Sequence, residues 1–136
     1  MVKSEKEIVD LMFNNDGFSQ WLGIERLADG KGVSKLRMKV RKEMLNGFDV
    51  AHGGITYSLA DSALAFASNS YGNKAMSVET SVSHLAKVKE GDVLSTKVKE
   101  LSRSNRIACY EVLIENQRNE LVAAFKGTVY ISQKKW

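Results

Sequence analysis

Apolar residues recur at one-helix-face spacing in a single long stretch of this chain. Ile55, Leu59, Ala63 and Phe66 follow one another at four, four and three residues, which predicts a helix beginning after the loop 46–52 and the pair Gly53-Gly54. Ser70, Gly72 and Asn73 are turn formers and predict its end. Upstream, Ser4-Glu5-Lys6-Glu7 is a capping-box pattern, and Ile8, Leu11 and Met12 follow at helical spacing, so a short helix is expected over 4–14. Phe18, Trp21 and Leu22 should tuck an apolar corner against the body. Residues 23–28 read as a strand, Asp29-Gly30-Lys31-Gly32 as a turn, and Leu36, Met38 and Val40 as the inward face of a second strand. Downstream, Met76, Val78, Thr80 and Val82 alternate with polar residues, which predicts a strand running to Val88. Three more strands are expected over 93–101, 107–115 and 121–131, with turns at 89–92, 102–105 and 116–119. Residues 107–115 are apolar on both sides, the mark of a central strand. A helix, two strands, a long helix and four strands make an α+β chain, a helix packed on an antiparallel sheet.

Composition narrows the class. At 136 residues, 43% of them hydrophobic and 26% charged, the chain is expected to form one globular domain, residues 1–136. No uninterrupted apolar run approaches the ~20 residues of a membrane span. Residues 1–16 are charged and lack the apolar core of a signal peptide, so a cytoplasmic protein is expected. The single cysteine, Cys109, falls in an expected strand and reads as a small buried hydrophobe. The net charge of +4 comes from lysines and arginines spread along the chain, without the basic face interleaved with aromatics that nucleic-acid binders show. A phosphorylated small molecule needs only a few local positive charges.

Inside this frame one residue stands apart. Between Val50 and Asn73 the only charged side chain, setting His52 aside, is Asp61. It lies roughly 120° from the apolar stripe, on a flank with Tyr57, Leu64 and Ser68. Small residues at Ser58, Ala60, Ser62, Ala63, Ala65 and Ala67 let other structure approach the helix closely. Asp61 therefore faces a cleft or a second subunit, or it pairs with a distant Lys or Arg. At the helix start, Gly53 and Gly54 can either shape a tight entry turn or expose backbone N–H groups to an anion or oxyanion. Eight residues separate Gly53 from Asp61, about 12 Å along a helix axis, too far for one carbonyl to meet both. If both act on one substrate, two copies related by a two-fold axis must share the site.

The joint pattern Asn46-Gly47, His52-Gly53-Gly54 and Leu59-Ala60-Asp61 resembles the hotdog-fold acyl-CoA thioesterases, and within them the phenylacetic acid degradation group. The resemblance continues through Gly91-Asp92 and AAFKGTVY at 123–130 and covers roughly residues 20–131. It implies a hotdog fold, a long helix wrapped by an antiparallel sheet, in a homodimer that assembles to a homotetramer. It implies hydrolysis of an aryl or medium-chain acyl-CoA without metal or other cofactor. The Gly53 N–H, with Gly54 beside it, would hold the carbonyl oxygen; Asp61 of the partner would act as nucleophile or as base on water. Asn46 would place the water and the carboxylate, and His52 would orient the carbonyl. Each also has a local reading, Asn46 as a turn residue and His52 as a helix-entry residue bonded to backbone. Ser77 would contact the substrate, and Arg103 and Arg106 would meet the phosphates of coenzyme A unless they simply flank a solvated turn. One departure is evident: relatives usually carry an aromatic residue and then a proline after the position of Ser83, where this chain reads His84-Leu85-Ala86-Lys87. Two rival readings are a hotdog dehydratase or hydratase, which lacks support in a proline-rich His loop here, and a non-catalytic acyl-CoA-binding module, which has no need of Asp61.

Overall fold

The computed structural model describes residues 2–136 and shows an antiparallel six-stranded sheet folded around one long helix, the hotdog layout. Helix α1 (Glu5–Asn14) is capped by the Ser4 hydroxyl, which accepts from the Glu7 N–H at 3.2 Å. A short helix α2 (Gly17–Trp21) follows, capped by Asp16, which accepts from the Ser19 N–H at 2.9 Å. The apolar corner expected here is only partly formed. Leu22 is fully buried, whereas Phe18 and Trp21 are exposed and stack on each other, with the Arg41 guanidinium over the Trp21 ring. Strands β1 (Glu25–Gly30) and β2 (Val33–Lys39) form a hairpin. After α3 (Gly53–Asn69) come β3 (Asn73–His84), β4 (Val93–Arg103), β5 (Ile107–Glu115) and β6 (Leu121–Lys135). The strand order is β1-β2-β4-β5-β6-β3, so β5 is central as expected and β1 and β3 are the edges. Along β5, Ala108, Tyr110, Val112 and Ile114 point into the core, while Cys109, Glu111, Leu113 and Glu115 are half-buried and Ile107 is exposed.

Helix α3 is enclosed by the sheet and by α1 and α2, which is why eleven of its seventeen residues are buried, including Ser62, Ser68 and Asn69. Close approach is built in from the other side as well. A Cβ on Gly127 of β6 would stand 2.6 Å from Leu64 Cδ2, so the strand needs glycine where it crosses the helix. The helix C-terminus is pinned by Asn69. Its amide donates to Ala65 O and Ala75 O and its carbonyl accepts from Ala75 N–H and the Trp136 indole, tying the start of β3 and the end of β6 to α3. No helix among the described residues is long and apolar enough to cross a membrane.

Strand β3 departs from its expected form in two ways, and both matter for the site. A register shift between Ser77 and Glu79 reverses its inward parity. Before the shift Ala75 and Ser77 face α3; after it Thr80 and Val82 do, and Tyr57 bonds Thr80 across the gap. Met76 and Val78, expected inside, are 75% and 63% exposed. The strand also stops at His84 rather than Val88. Pairing with β6 ends at His84↔Ala123; the Leu85 and Ala86 N–H groups both turn to Val122 O, and Val88 O accepts from Ala51 N–H. The segment 85–88 therefore leaves the sheet and crosses to the loop that leads into α3.

Candidate active site

The N-terminus of α3 opens into a cleft of about 480 Å³ lined by Gly53, Thr56, His84 and the segment 85–88. His52 is the cap: its Nδ1 accepts from the Gly54 N–H at 2.9 Å, and its carbonyl accepts from the Ile55 N–H at 2.8 Å. A neutral imidazole accepting at Nδ1 carries its proton on Nε2. The Gly53 N–H has no acceptor among the described residues. Of the two glycines, then, Gly53 presents a free donor and the positive end of the helix, while the Gly54 N–H, expected beside it, is already spent on His52. Across the cleft His84 Nδ1 lies 3.2 Å from the Thr56 hydroxyl, which also reaches Gly53 O at 3.2 Å.

A second, smaller cleft of about 250 Å³ runs between α3 and β3 and is lined by Asp61, Leu64, Ser68 and Ser77. Asp61 makes no hydrogen bond and no ion pair among the described residues. The reading of Asp61 as a carboxylate paired to a distant Lys or Arg of the same chain thus finds no partner. Burial pushes the Asp61 carboxyl above the usual carboxylate range, and the nearby charge of Asp16 pushes the same way. Asp16 is held by Ser19, whose hydroxyl bonds Ser62 at 2.8 Å on α3. In the sequence the one signal for that contact is the cap spacing of Asp16 and Ser19.

The remaining expected residues are scattered. Asn46 lines neither cleft; its side-chain oxygen accepts from the Phe48 N–H at 2.8 Å and shapes the loop. Arg103 and Arg106 line a polar hollow of about 390 Å³ together with Tyr71 and Lys135. Arg103 is not a free turn residue, because it stacks on Tyr71, 3.7 Å from its centroid, and donates to Ser68 O and the Tyr110 hydroxyl. Arg106 donates only to the backbone at Asn105 O and Ile131 O. One chain thus brings Asp61 together with Ser77, and Gly53 with Thr56 and His84, and keeps the two groups apart. His84 is the cleft residue whose role the sequence left open; the available signal was that it opens the segment 84–87, in which the chain departs from the family pattern it otherwise resembles.

An unpaired carboxylate of raised pKa and a helix N-terminus with a free N–H are groups able to act on an electrophilic carbonyl, and comparison with known proteins defines the class of the chain. Residues 48–123 match the family model described as "Thioesterase superfamily". The chain is 34% identical over 116 residues to the acyl-coenzyme A thioesterase PaaI of Escherichia coli, covering 85% of this chain and 83% of that protein. It is 40% identical over 125 residues to an Archaeoglobus fulgidus protein described as "Putative esterase", covering 92% of this chain and 81% of the other. The solved Escherichia coli PaaI structure superposes with a TM-score of 0.94 at 30% identity, over 96% of this chain and 95% of that one. The chain belongs to the thioesterase superfamily and is a thioester hydrolase with the hotdog fold.

Proposed function

We propose that this protein hydrolyses acyl-CoA thioesters at sites shared by two copies of the chain, each site pairing Gly53 of one copy with Asp61 of the other. The observation that carries the reading is the separation of the two clefts. Gly53 and Asp61 lie eight residues apart on α3, about 12 Å, and open in different places. The exposed edge of β3, with Met76 and Val78 bare beside the Asp61 cleft, supports a second copy seated on that side. Such dimers would assemble further to a tetramer. The likeness to the Escherichia coli thioesterase supports coenzyme A as the carrier, and a Streptococcus mutans structure bound to acetyl CoA, 25% identical with a TM-score of 0.80, supports it again.

In this reading the thioester carbonyl oxygen accepts from the Gly53 N–H. Asp61 of the second copy takes a proton from water as the water oxygen attacks the carbonyl carbon, and its raised pKa suits a base. The negative charge on the tetrahedral oxygen is held by the N–H and the helix dipole. The C–S bond then breaks, its electron pair leaves on the coenzyme A sulfur, and the sulfur takes up a proton. Asn46 would help place the water, and His52 would hold the helix entry rigid beside the carbonyl. Ser77 would contact the substrate from the Asp61 side, and Arg106 would meet the nucleotide phosphates over the polar hollow. The acyl group would be an aryl or medium chain.

The test mixes two inactive variants, Asp61→Ala and Gly53→Val, dissociated together and reassembled. Half the dimers should be mixed, and each should contain one intact site, so activity should return to about a quarter of wild type. Folded, reassembled mixtures that stay inactive would overturn the shared site.

A further inference from the structure

We infer that His84 is a catalytic residue of this chain, its Nε2–H donating the second hydrogen bond to the thioester oxygen that the Gly53 N–H holds. The inference rests on the reading of Gly53 given above. An oxyanion is held by more than one donor, and removal of a single donor typically costs 10²–10³ in kcat. The helix terminus offers only one. The Gly54 N–H is bonded to His52 Nδ1 and the Ile55 N–H to His52 O, which leaves Gly53 alone.

His84 stands where the missing donor is needed. A Cβ built on Gly53 would lie 3.1 Å from His84 Nε2. The backbone nitrogen of any residue is roughly 2.5 Å from its Cβ, from bonds of about 1.5 Å. Nε2 and the Gly53 nitrogen are therefore at most about 5.6 Å apart. Two donors that share one oxygen at about 2.9 Å each stand no more than about 5.8 Å from one another, and this pair meets that limit. A side chain at position 53 would crowd His84 Nε2, which gives the glycine a reason beyond its backbone freedom.

The role requires the proton on Nε2, and Thr56 admits that tautomer. Its hydroxyl has one hydrogen and stands 3.2 Å from both Gly53 O and His84 Nδ1. Turned from Gly53 O to Nδ1, it leaves Nε2 as the N–H. The end of β3 at His84, with the ladder abandoned at Leu85, places the residue at the cleft, and the Thr56 hydroxyl meets its ring. His84 gives up no proton in this role; it only polarises the carbonyl and steadies the tetrahedral oxygen.

Steady-state hydrolysis of phenylacetyl-CoA and a medium-chain acyl-CoA is measured for wild type, Asp61→Asn, His84→Ala, His84→Phe, His84→Gln, Thr56→Val and Lys87→Ala, each checked for fold by circular dichroism. His84→Ala and His84→Phe should lower kcat by about 10²–10³ with KM nearly unchanged, the signature of an interaction made in the transition state. His84→Gln keeps a side-chain N–H and should recover at least tenfold over His84→Ala. Thr56→Val should lose less than His84→Ala. Lys87→Ala, on the same cleft, should keep its kcat. The inference is overturned if His84→Ala and His84→Phe turn over within about threefold of wild type, if Gln is no better than Ala, or if Lys87→Ala falls as far. Where His84→Phe fails to fold, the Gln–Ala difference decides, and where His84→Ala fails, the Gln–Phe difference does. Inactive Asp61→Asn beside an active His84→Ala sinks His84 alone; a wild type that hydrolyses neither thioester sinks the parent reading with it.

Discussion

Two charged side chains meet at α3, Arg103 packed against it from β4 and Asp61 carried on it, and the fold treats them in opposite ways. Arg103 is surrounded: the Tyr71 ring under its guanidinium, Glu100 at 3.9 Å, the Tyr110 hydroxyl at 3.1 Å and Ser68 O at 3.3 Å. Glu100 in turn accepts from Tyr110 at 2.6 Å and from Tyr71 at 3.0 Å. Burial first, and the bond to Glu100 second, push the Tyr110 hydroxyl far above its ordinary pKa, so it stays a donor in the network. Asp61 has none of this. It is half-buried, unpaired, and raised in pKa by burial and by Asp16. A charge that a fold satisfies within itself stabilises the fold. One that it leaves unsatisfied costs stability and stays available for chemistry.

Removing Asp61 should cost activity and spare the fold. Asp61→Asn should lower kcat by about 10²–10⁴ with thermal unfolding unchanged or raised; near-normal turnover would take Asp61 out of the mechanism. Arg103→Ala should do the reverse. It strips partners from Glu100, Tyr110 and Ser68 O, and a loss of about 2–3 kcal/mol in chemical denaturation is expected, with kcat per folded molecule preserved. A fully stable Arg103→Ala with a raised KM would instead put Arg103 on the nucleotide, as the sequence first suggested. Arg106 sharpens the contrast, since its bonds are only to backbone carbonyls. Arg106→Ala should raise KM several-fold for acyl-CoA and leave a pantetheine thioester without the nucleotide unaffected. Equal losses on both substrates would make it structural.

The smallest effect is on pH. Because the folded-state pKa of Asp61 lies above its unfolded value, ionising it disfavours the folded state. Its penalty is absent below the ordinary aspartate value of about 3.9 and grows as pH rises through the folded value. Asp61→Asn should therefore gain stability over wild type at neutral pH and lose that advantage in acid. The acid limb of kcat/KM in wild type should fall at a pH above 3.9. A stability difference independent of pH, or an inflection at the ordinary value, would mean that Asp61 is better solvated in the working assembly than in the single chain.

Much of this was legible in residues. Periodicity alone placed α3, the central β5 and the antiparallel order, because burial of one helix face and alternate strand positions leaves its mark on every element. Asp61 could be singled out because, His52 aside, no other charged side chain interrupts 51–73. The 12 Å between Gly53 and Asp61 followed from helix rise, which no tertiary contact changes. What the chain could not disclose were decisions made between elements. The bulge at Ser77–Glu79 and the end of the ladder at His84 depend on pairing with β6, and they alone turn Ser77 toward Asp61 and His84 toward Gly53. The fate of a hydrogen bond is equally a matter of neighbours. Nothing local to His52-Gly53-Gly54 says which glycine keeps a free N–H, and nothing local to Ser102–Arg106 says that one arginine folds inward onto Tyr71 and Tyr110 while the other bonds only to backbone carbonyls. Local pattern records which residues must be buried. Only the packed structure decides which polar groups are satisfied on the way and which remain free to act.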